Sequence, residues 1–114
     1  MANQTYRVRH ATVVACDGVL GTSLGITTDL YALLEAQLSM SGKSLTSELV
    51  SVDGQPVTSA GKMVVQVSAS IEAVEHTDLV MLPSFWGDVD SIIKKERNLI
   101  PWLQKQYEDG AILV

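Results

Sequence analysis

The sequence predicts an α/β domain, with a doubly wound, mostly parallel sheet between two helical layers in a three-layer sandwich. Short apolar runs of strand length alternate with longer stretches of helical spacing, as in βαβ units. Hydrophobic residues make up 46% of the 114-residue chain, enough for strands buried on both faces. The last run, residues 111–114, is wholly apolar and follows Gly110, a typical helix terminator.

The first predicted strand covers residues 6–16, where alternation gives way to a continuous apolar run. Asp17 and Gly18 signal a turn, and we expect Thr22 or Ser23 to cap the next helix. That helix has an apolar stripe at helical spacing, made of Leu30, Tyr31, Leu34 and Leu38.

The middle of the chain predicts two more strands and an excursion. Residues 48–52 are typical of a second strand, and residues 57–58 and 63–65 of a small hairpin outside the main sheet. Residues 68–74 are predicted as a short helix. Residues 79–82 form the third buried strand, which ends at Pro83.

The last part predicts two helices and a fourth strand. Residues 88–97 are predicted as a helix. Asn98 indicates a helix break and a cap, and Pro101 fits the first turn of the next helix. We expect Trp102, Leu103 and Tyr107 to form the apolar side of that helix. Residues 111–114 then form a strand buried on both faces of the sheet.

Composition excludes several classes of protein. The net charge is −5 and the pI is near 4.8, whereas a nucleic-acid-binding module carries a basic face. One cysteine excludes an internal disulfide framework and fits a reducing cytoplasm. The amino end lacks the apolar core of a secretory signal, and no apolar run approaches the roughly 20 residues of a membrane span.

Candidate functional residues follow the first and third strands, because ligands bind beyond the carboxyl ends of parallel strands. Ser23 and Asp29 lie near the first of these ends, where they also fit a helix cap and a solvated acid. Ser84, Phe85 and Trp86 lie at the other end. The two aromatic residues fit a wall for a small ligand, or packing over the sheet or in a dimer contact.

Other reactive side chains predict no site. Cys16 stands in the most apolar run and is interpreted as a small core residue. His10 and His76 lack the spacing of metal ligands, and we interpret both as structural. The glycines do not match a phosphate-binding loop, so the sequence implies no metal and no cofactor.

Three parts of the chain resemble the ThiJ/PfpI superfamily, also called class I glutamine amidotransferase-like, and more narrowly the amino-terminal domain of GlxA-type regulators of the AraC family. They are residues 18–30, residues 48–57, and residues 78–83 followed by 100–103 and 109–111. Together they span nearly the whole chain in the family's order. The resemblance implies a cytoplasmic domain with a flavodoxin-like fold. Such a domain senses a small molecule, forms a homodimer and does not associate with a membrane.

The resemblance also implies where catalysis fails. The family acid falls at Ser23, and the paired glycines after the third strand fall at Ser84 and Phe85. A serine cannot replace a carboxylate in proton transfer at neutral pH. A bulky Phe at the position of a glycine blocks the close approach of the backbone that an oxyanion site needs. We therefore expect this chain not to be an enzyme. We expect Ser23, Asp29, Ser84, Phe85 and Trp86 to line or border the ligand pocket. By analogy with the family, the effector is an amine or an amino-acid-like molecule.

Because residues 111–114 resemble a central strand, we expect residues 1–114 to be the amino-terminal part of one larger domain. DNA would be bound only through a separate carboxyl-terminal domain outside this chain. Two alternatives stay open. The first is the amino-terminal half of a ThiJ/PfpI-like hydrolase or chaperone-like enzyme, with its nucleophile turn after Val114. The second is a self-associating flavodoxin-like interaction module.

Overall fold

The computed structural model describes residues 8–114. In chain order its elements are β1 (His10–Val14), α1 (Gly21–Met40), β2 (Thr46–Ser51), β3 (Val57–Thr58), β4 (Val64–Val65), β5 (Ala69–Ser70), a turn of 3-10 helix (Ile71–Ala73), β6 (Leu79–Met81), α2 (Val89–Lys95), α3 (Leu99–Glu108) and β7 (Ile112–Leu113).

Five strands form one sheet in the order β5-β2-β1-β6-β7, and every neighbouring pair is parallel. Strands β3 and β4 form a separate antiparallel hairpin, as predicted. Helices cover parts of both faces of the sheet. The predicted α/β class and its mostly parallel, flavodoxin-like sheet are therefore confirmed.

The core is divided between the two faces of this sheet, because side chains alternate along each strand. The cluster on the face covered by α1 and the hairpin consists of Val13, Ala15, Val19, Leu24 and Val57. The cluster on the face covered by α3 and the 3-10 turn consists of Val14, Val50, Ile71, Val74 and Val80. Residues 13 and 14 belong to opposite clusters, so β1 anchors both halves of the core.

The start and the orientation of α1 differ from the prediction. The helix begins at Gly21 with Leu20 at the N-cap, so neither Thr22 nor Ser23 caps it. Its buried residues are Leu24 and Thr27, with Tyr31 packed beside them. The predicted stripe is wrong in part, because two of its leucines are exposed.

We call the exposed apolar side of α1 its outer face. It consists of Ile26, Leu30, Leu33, Leu34 and Met40. Since α1 is apolar on opposite sides, helical spacing alone did not decide which side would meet the sheet. The exposed fractions of Ile26 and Leu33 are 69% and 68%.

Two predicted segments have different bounds or type. Of the predicted range 6–16, the structure describes a strand over residues 10–14, and residues 6 and 7 lie outside the described residues. Beyond Val14 the Ala15 amide still donates to the Val50 carbonyl, but residues 15 and 16 are not part of the strand. Residues 68–74, predicted as a helix, instead hold β5 and the 3-10 turn. The backbone of Ala69 and Ser70 pairs with β2, and this long-range pairing prevailed over local preference.

The carboxyl-terminal helix and strand also depart from expectation. Tyr107 is exposed, and the buried residue of α3 is Gln106. Gly110, with φ of 100°, terminates α3 as predicted. Strand β7 is the edge of the sheet, and Val114 beside it is 61% exposed. Burial on both faces is therefore wrong for residues 112–114 in this structure.

Candidate functional site

The loop of residues 17–20, which follows β1, lies between two other segments at the carboxyl edge of the sheet. On one side the Gly18 amide donates to the Thr58 carbonyl at 2.9 Å, and the Ala60 amide donates to the Val19 carbonyl at 2.9 Å. These bonds attach the β3–β4 hairpin. These two backbone bonds hold the loop against the hairpin.

On its other side the same loop pairs with the segment after β6. The Leu20 amide donates to the Ser84 carbonyl, and the Trp86 amide donates to the Gly18 carbonyl, each at 2.8 Å. Phe85 lies between these bonds and forms an antiparallel bridge with Val19. The two strand-end loops therefore form one continuous backbone surface.

Ser23 joins this surface to the first turn of α1. Its Oγ accepts a hydrogen bond from the Ser84 amide at 3.1 Å. The hydroxyl predicted as a helix cap thus ties α1 to the loop after β6. This bond fixes the position of the loop that carries Phe85 and Trp86.

The structure brings together Ser23, Ser84, Phe85 and Trp86 but not Asp29. Six residues of α-helix turn the chain by about 600°, which places Asp29 roughly 120° around α1 from Ser23, and Asp29 is exposed. Phe85 is 38% exposed and Trp86 is 75% exposed, so both rings present surface to solvent. Ligand binding by all five residues stays a prediction.

A charged cluster that the sequence did not predict lies beside this surface. The Lys95 ammonium donates to Asp17 Oδ2, while Asp17 Oδ1 accepts from the Thr58 amide at 2.9 Å. The bond from Lys95 and the bond from Thr58 hold the pKa of Asp17 below its ordinary value. This ion pair could not be predicted from the sequence, because Lys95 lies 78 residues from Asp17 along the chain.

Cys16 and Glu96 border the same cluster. Burial raises the pKa of the Cys16 thiol, and the nearby carboxylates of Glu96 and Asp17 raise it further. Burial likewise raises the pKa of Glu96. Cys16 is half-buried rather than fully in the core, and its neutral thiol is a poor nucleophile.

The two histidines make structural contacts away from this edge. His10 bonds Thr46 at 2.6 Å and Glu48 at 3.0 Å, and His76 lies 3.3 Å from Asp78. Among the residues that the structure describes, no three His, Cys, Asp or Glu side chains group as metal ligands do.

An open groove of about 300 Å³ lies elsewhere, between α1 and the strands β1 and β2. Its lining residues are Val13, Thr28, Tyr31, Ser47, Glu48 and Leu49. None of the five candidate ligand-binding residues lines it. Across residues 8–114, no helix has both the length and the apolar character needed to cross a bilayer.

No family model and no curated protein matches this chain. Solved structures do match. A protein described as a transcriptional regulator, from Vibrio parahaemolyticus, superposes with a TM-score of 0.73 at 18% identity, over 94% of this chain and 55% of its own.

Two further solved structures are similar. An AraC family transcriptional regulator from Pseudomonas putida gives a TM-score of 0.71 at 19% identity, over 92% of this chain and 54% of its own. A DJ-1 superfamily protein from Salmonella typhimurium gives a TM-score of 0.72 at 13% identity, over 92% of this chain and 53% of its own. The resemblance to the DJ-1/ThiJ/PfpI superfamily is thereby confirmed at the level of the fold. The chain spans about half the length of each of these three structures.

Proposed function

We propose that this chain is a non-catalytic ligand-sensing and dimerisation domain of a cytoplasmic AraC-family transcriptional regulator. The observation that carries the proposal is the bond between Ser23 Oγ and the Ser84 amide. It puts a neutral hydroxyl, already engaged as an acceptor, where the resemblance expects a catalytic acid. A serine there positions a loop but does not transfer protons at neutral pH.

The side chains beside that bond favour recognition over chemistry. Phe85 and Trp86 offer exposed aromatic surface at the carboxyl edge of a parallel sheet, the usual place for a ligand in such folds. An aromatic wall favours a small ligand with an apolar or cationic part. An amine or amino-acid-like effector follows by analogy with the family.

Self-association is the second part of the proposal, and the outer face of α1 supports it. Five large apolar side chains on one side of a helix form a surface that monomers seldom leave exposed. Two such helices from two copies would bury both surfaces at once, in an isologous contact. An effector that binds one dimer arrangement better than another would then bias an attached DNA-binding domain.

Ligand binding is tested by titrating the chain with a panel of amines and amino acids while following tryptophan fluorescence. We expect a saturable change that Trp86→Phe reduces in amplitude and Trp86→Ala weakens in affinity. Trp102→Phe is the matched control, because Trp102 lies on α3, packs against the core cluster on that face of the sheet, and donates its indole N–H to the Val74 carbonyl. Turnover of an ester, a peptide or a 2-oxoaldehyde by the chain would overturn the non-catalytic assignment.

The regulator context is tested by reading the source gene past the codon for Val114. Two helix-turn-helix patterns in the same frame are the expected result. A Cys-bearing turn directly after Val114, with a His further on, would favour the hydrolase instead.

A further inference from the structure

Helix α2 is the least anchored of the described helices. None of its residues is buried, and Val89 and Ile93 turn apolar surface to solvent. Its N-cap, Asp88, bonds the Asp90 amide and the Ser91 hydroxyl, both on α2 itself. These bonds hold the helix together without fastening it to the domain.

One side chain of α2 reaches across to the sheet. The Lys95 ammonium bonds Asp17 Oδ2, and within residues 8–114 this is the one side-chain hydrogen bond found between α2 and another element or its loops. The Asp17 carboxylate is held in position for this bond, because its other oxygen accepts a hydrogen bond from the Thr58 amide. A fixed acceptor therefore meets a donor on a loosely packed helix.

The segments that flank α2 can act as hinges. Gly87 precedes the helix with φ of 136°, and the nearest atom to a Cβ added there would be Ile92 Cδ1 at 3.9 Å. After the helix, residues 96–98 form turns before α3 begins. This seven-residue helix therefore lies between two non-helical connections, an arrangement that would let it move as a unit without disturbing β6 or α3.

Cys16 lies where the end of α2 approaches the sheet. Its charge neighbours include Glu96 and Lys95 from this part of the chain, and the thiol is half-buried. Opening of α2 would remove these neighbours and expose the carboxyl end of β1.

We propose that α2 is a lid over the carboxyl end of β1, held closed by the ion pair between Lys95 and Asp17. In the closed state it restricts access to Cys16 and the loop of residues 17–20. In the open state a small molecule reaches that end of the sheet. The lid would operate whether or not the domain is a sensor, because it depends on the contacts of α2 alone.

Cys16 provides a built-in reporter, because it is the chain's single cysteine. The test measures its reaction rate with a large excess of a neutral maleimide and, separately, of dithiobis(nitrobenzoate). We expect Lys95→Ala to raise the rate by about twofold to fivefold, the range for an exposed ion pair. Lys95→Arg keeps the charge and should stay near the wild-type rate.

The direction of this change distinguishes lid opening from simple electrostatics. Lys95 lowers the pKa of Cys16, so its removal alone would leave less thiolate and slow both reactions. Lys94→Ala is the matched control, since Lys94 is exposed on the same helix. A rate that falls or stays constant in Lys95→Ala, or rises equally in Lys94→Ala, would overturn the proposal.

Two further measurements keep the test decisive. Asp17→Asn removes the acceptor and should also raise the rate, in part because its carboxylate no longer raises the pKa of Cys16. The lid is tested by the double variant, in which Lys95→Ala should raise the rate no further once Asp17 is gone. Hydrogen exchange should be faster over residues 89–95 in both variants, with exchange in β1 and β6 unchanged. Equal acceleration across the sheet would mean general unfolding rather than a lid.

Discussion

The backbones of Gly18 and Trp86 lie directly against each other. The Trp86 amide donates to the Gly18 carbonyl at 2.8 Å, and a Cβ on Gly18 would come within 2.9 Å of the Trp86 carbonyl oxygen. Gly18 also has φ of 90°, a conformation that side chains disfavour. Both facts require glycine where the two strand-end loops meet.

Gly18→Ala should therefore lower the free energy of unfolding by about 1 to 3 kcal/mol, measured by urea denaturation. Gly25→Ala is its counterpart, because Gly25 lies inside α1 with open space around it. It should raise the free energy of unfolding by up to about 1 kcal/mol. Equal effects of the two substitutions would contradict the close approach at Gly18.

Gln106 should be the most sensitive polar residue of α3. Its Oε1 accepts from the Thr77 amide at 3.2 Å and its Nε2 donates to the Glu75 carbonyl at 3.1 Å, while the residue is fully buried. Gln106→Leu leaves the Thr77 amide without a partner and should cost about 1 to 3 kcal/mol in urea denaturation. The exposed Gln104 on the same helix is the control, and Gln104→Leu should change little.

The outer face of α1 predicts concentration-dependent association. Leu33→Glu should weaken self-association about tenfold or more, because it places a charge in an apolar contact. Analytical sedimentation over a concentration series measures this, with Ala32→Glu as the control, because Ala32 is exposed and lies about 100° around α1 from Leu33, off the outer face. A wild-type chain that sediments as a monomer at all concentrations would refute the dimer.

Acid should remove the contribution of Asp17. Lys95 and the Thr58 amide lower the folded-state pKa of Asp17, so its stabilisation is present above its ordinary pKa and is lost as pH falls through the folded value. Asp17→Asn should therefore be less stable than wild type at about pH 7, and the difference should close by about pH 2. Unfolding free energies of both proteins at several pH values measure this.

Glu96 should show the opposite sign. Burial raises its folded-state pKa, so its contribution favours folding below the unfolded pKa and is lost as pH rises through the folded one. Glu96→Gln should stabilise the protein at about pH 7 and have no effect at about pH 3. The same denaturation series decides this, and a destabilised variant at neutral pH would contradict the cause assigned to the shift.

Much of the fold could be predicted because its strands are short apolar runs, each followed by a clear break such as Pro83. Strand β5 was missed because Ala69 and Ser70 carry no strand pattern and pair only through the backbone. The side of α1 that packs against the sheet was predicted wrongly in part, because the helix is apolar on both sides. In each case tertiary contact, not local sequence, decided the outcome.

The candidate site divides in the same way. Ser23, Ser84 and Phe85 were found because residues after parallel strands meet at one edge. Lys95 and Glu96 were not, since a mixed charge run on a helix gives no sign of its partner. The position of Asp17, three residues past the end of β1, was the available signal for a charged group at this edge, but it did not indicate Lys95 as the partner.

The central position of β1 has a consequence for synthesis on the ribosome. This strand is made before both of its neighbours, and one of them belongs to a segment that begins much later: His10 bonds Asp78, 68 residues further on. At roughly 5 to 20 residues per second, an apolar strand waits several seconds for translation to supply that partner. The nascent chain should therefore depend on chaperones during this interval, and slowing translation upstream of β6 should lower the yield of folded protein.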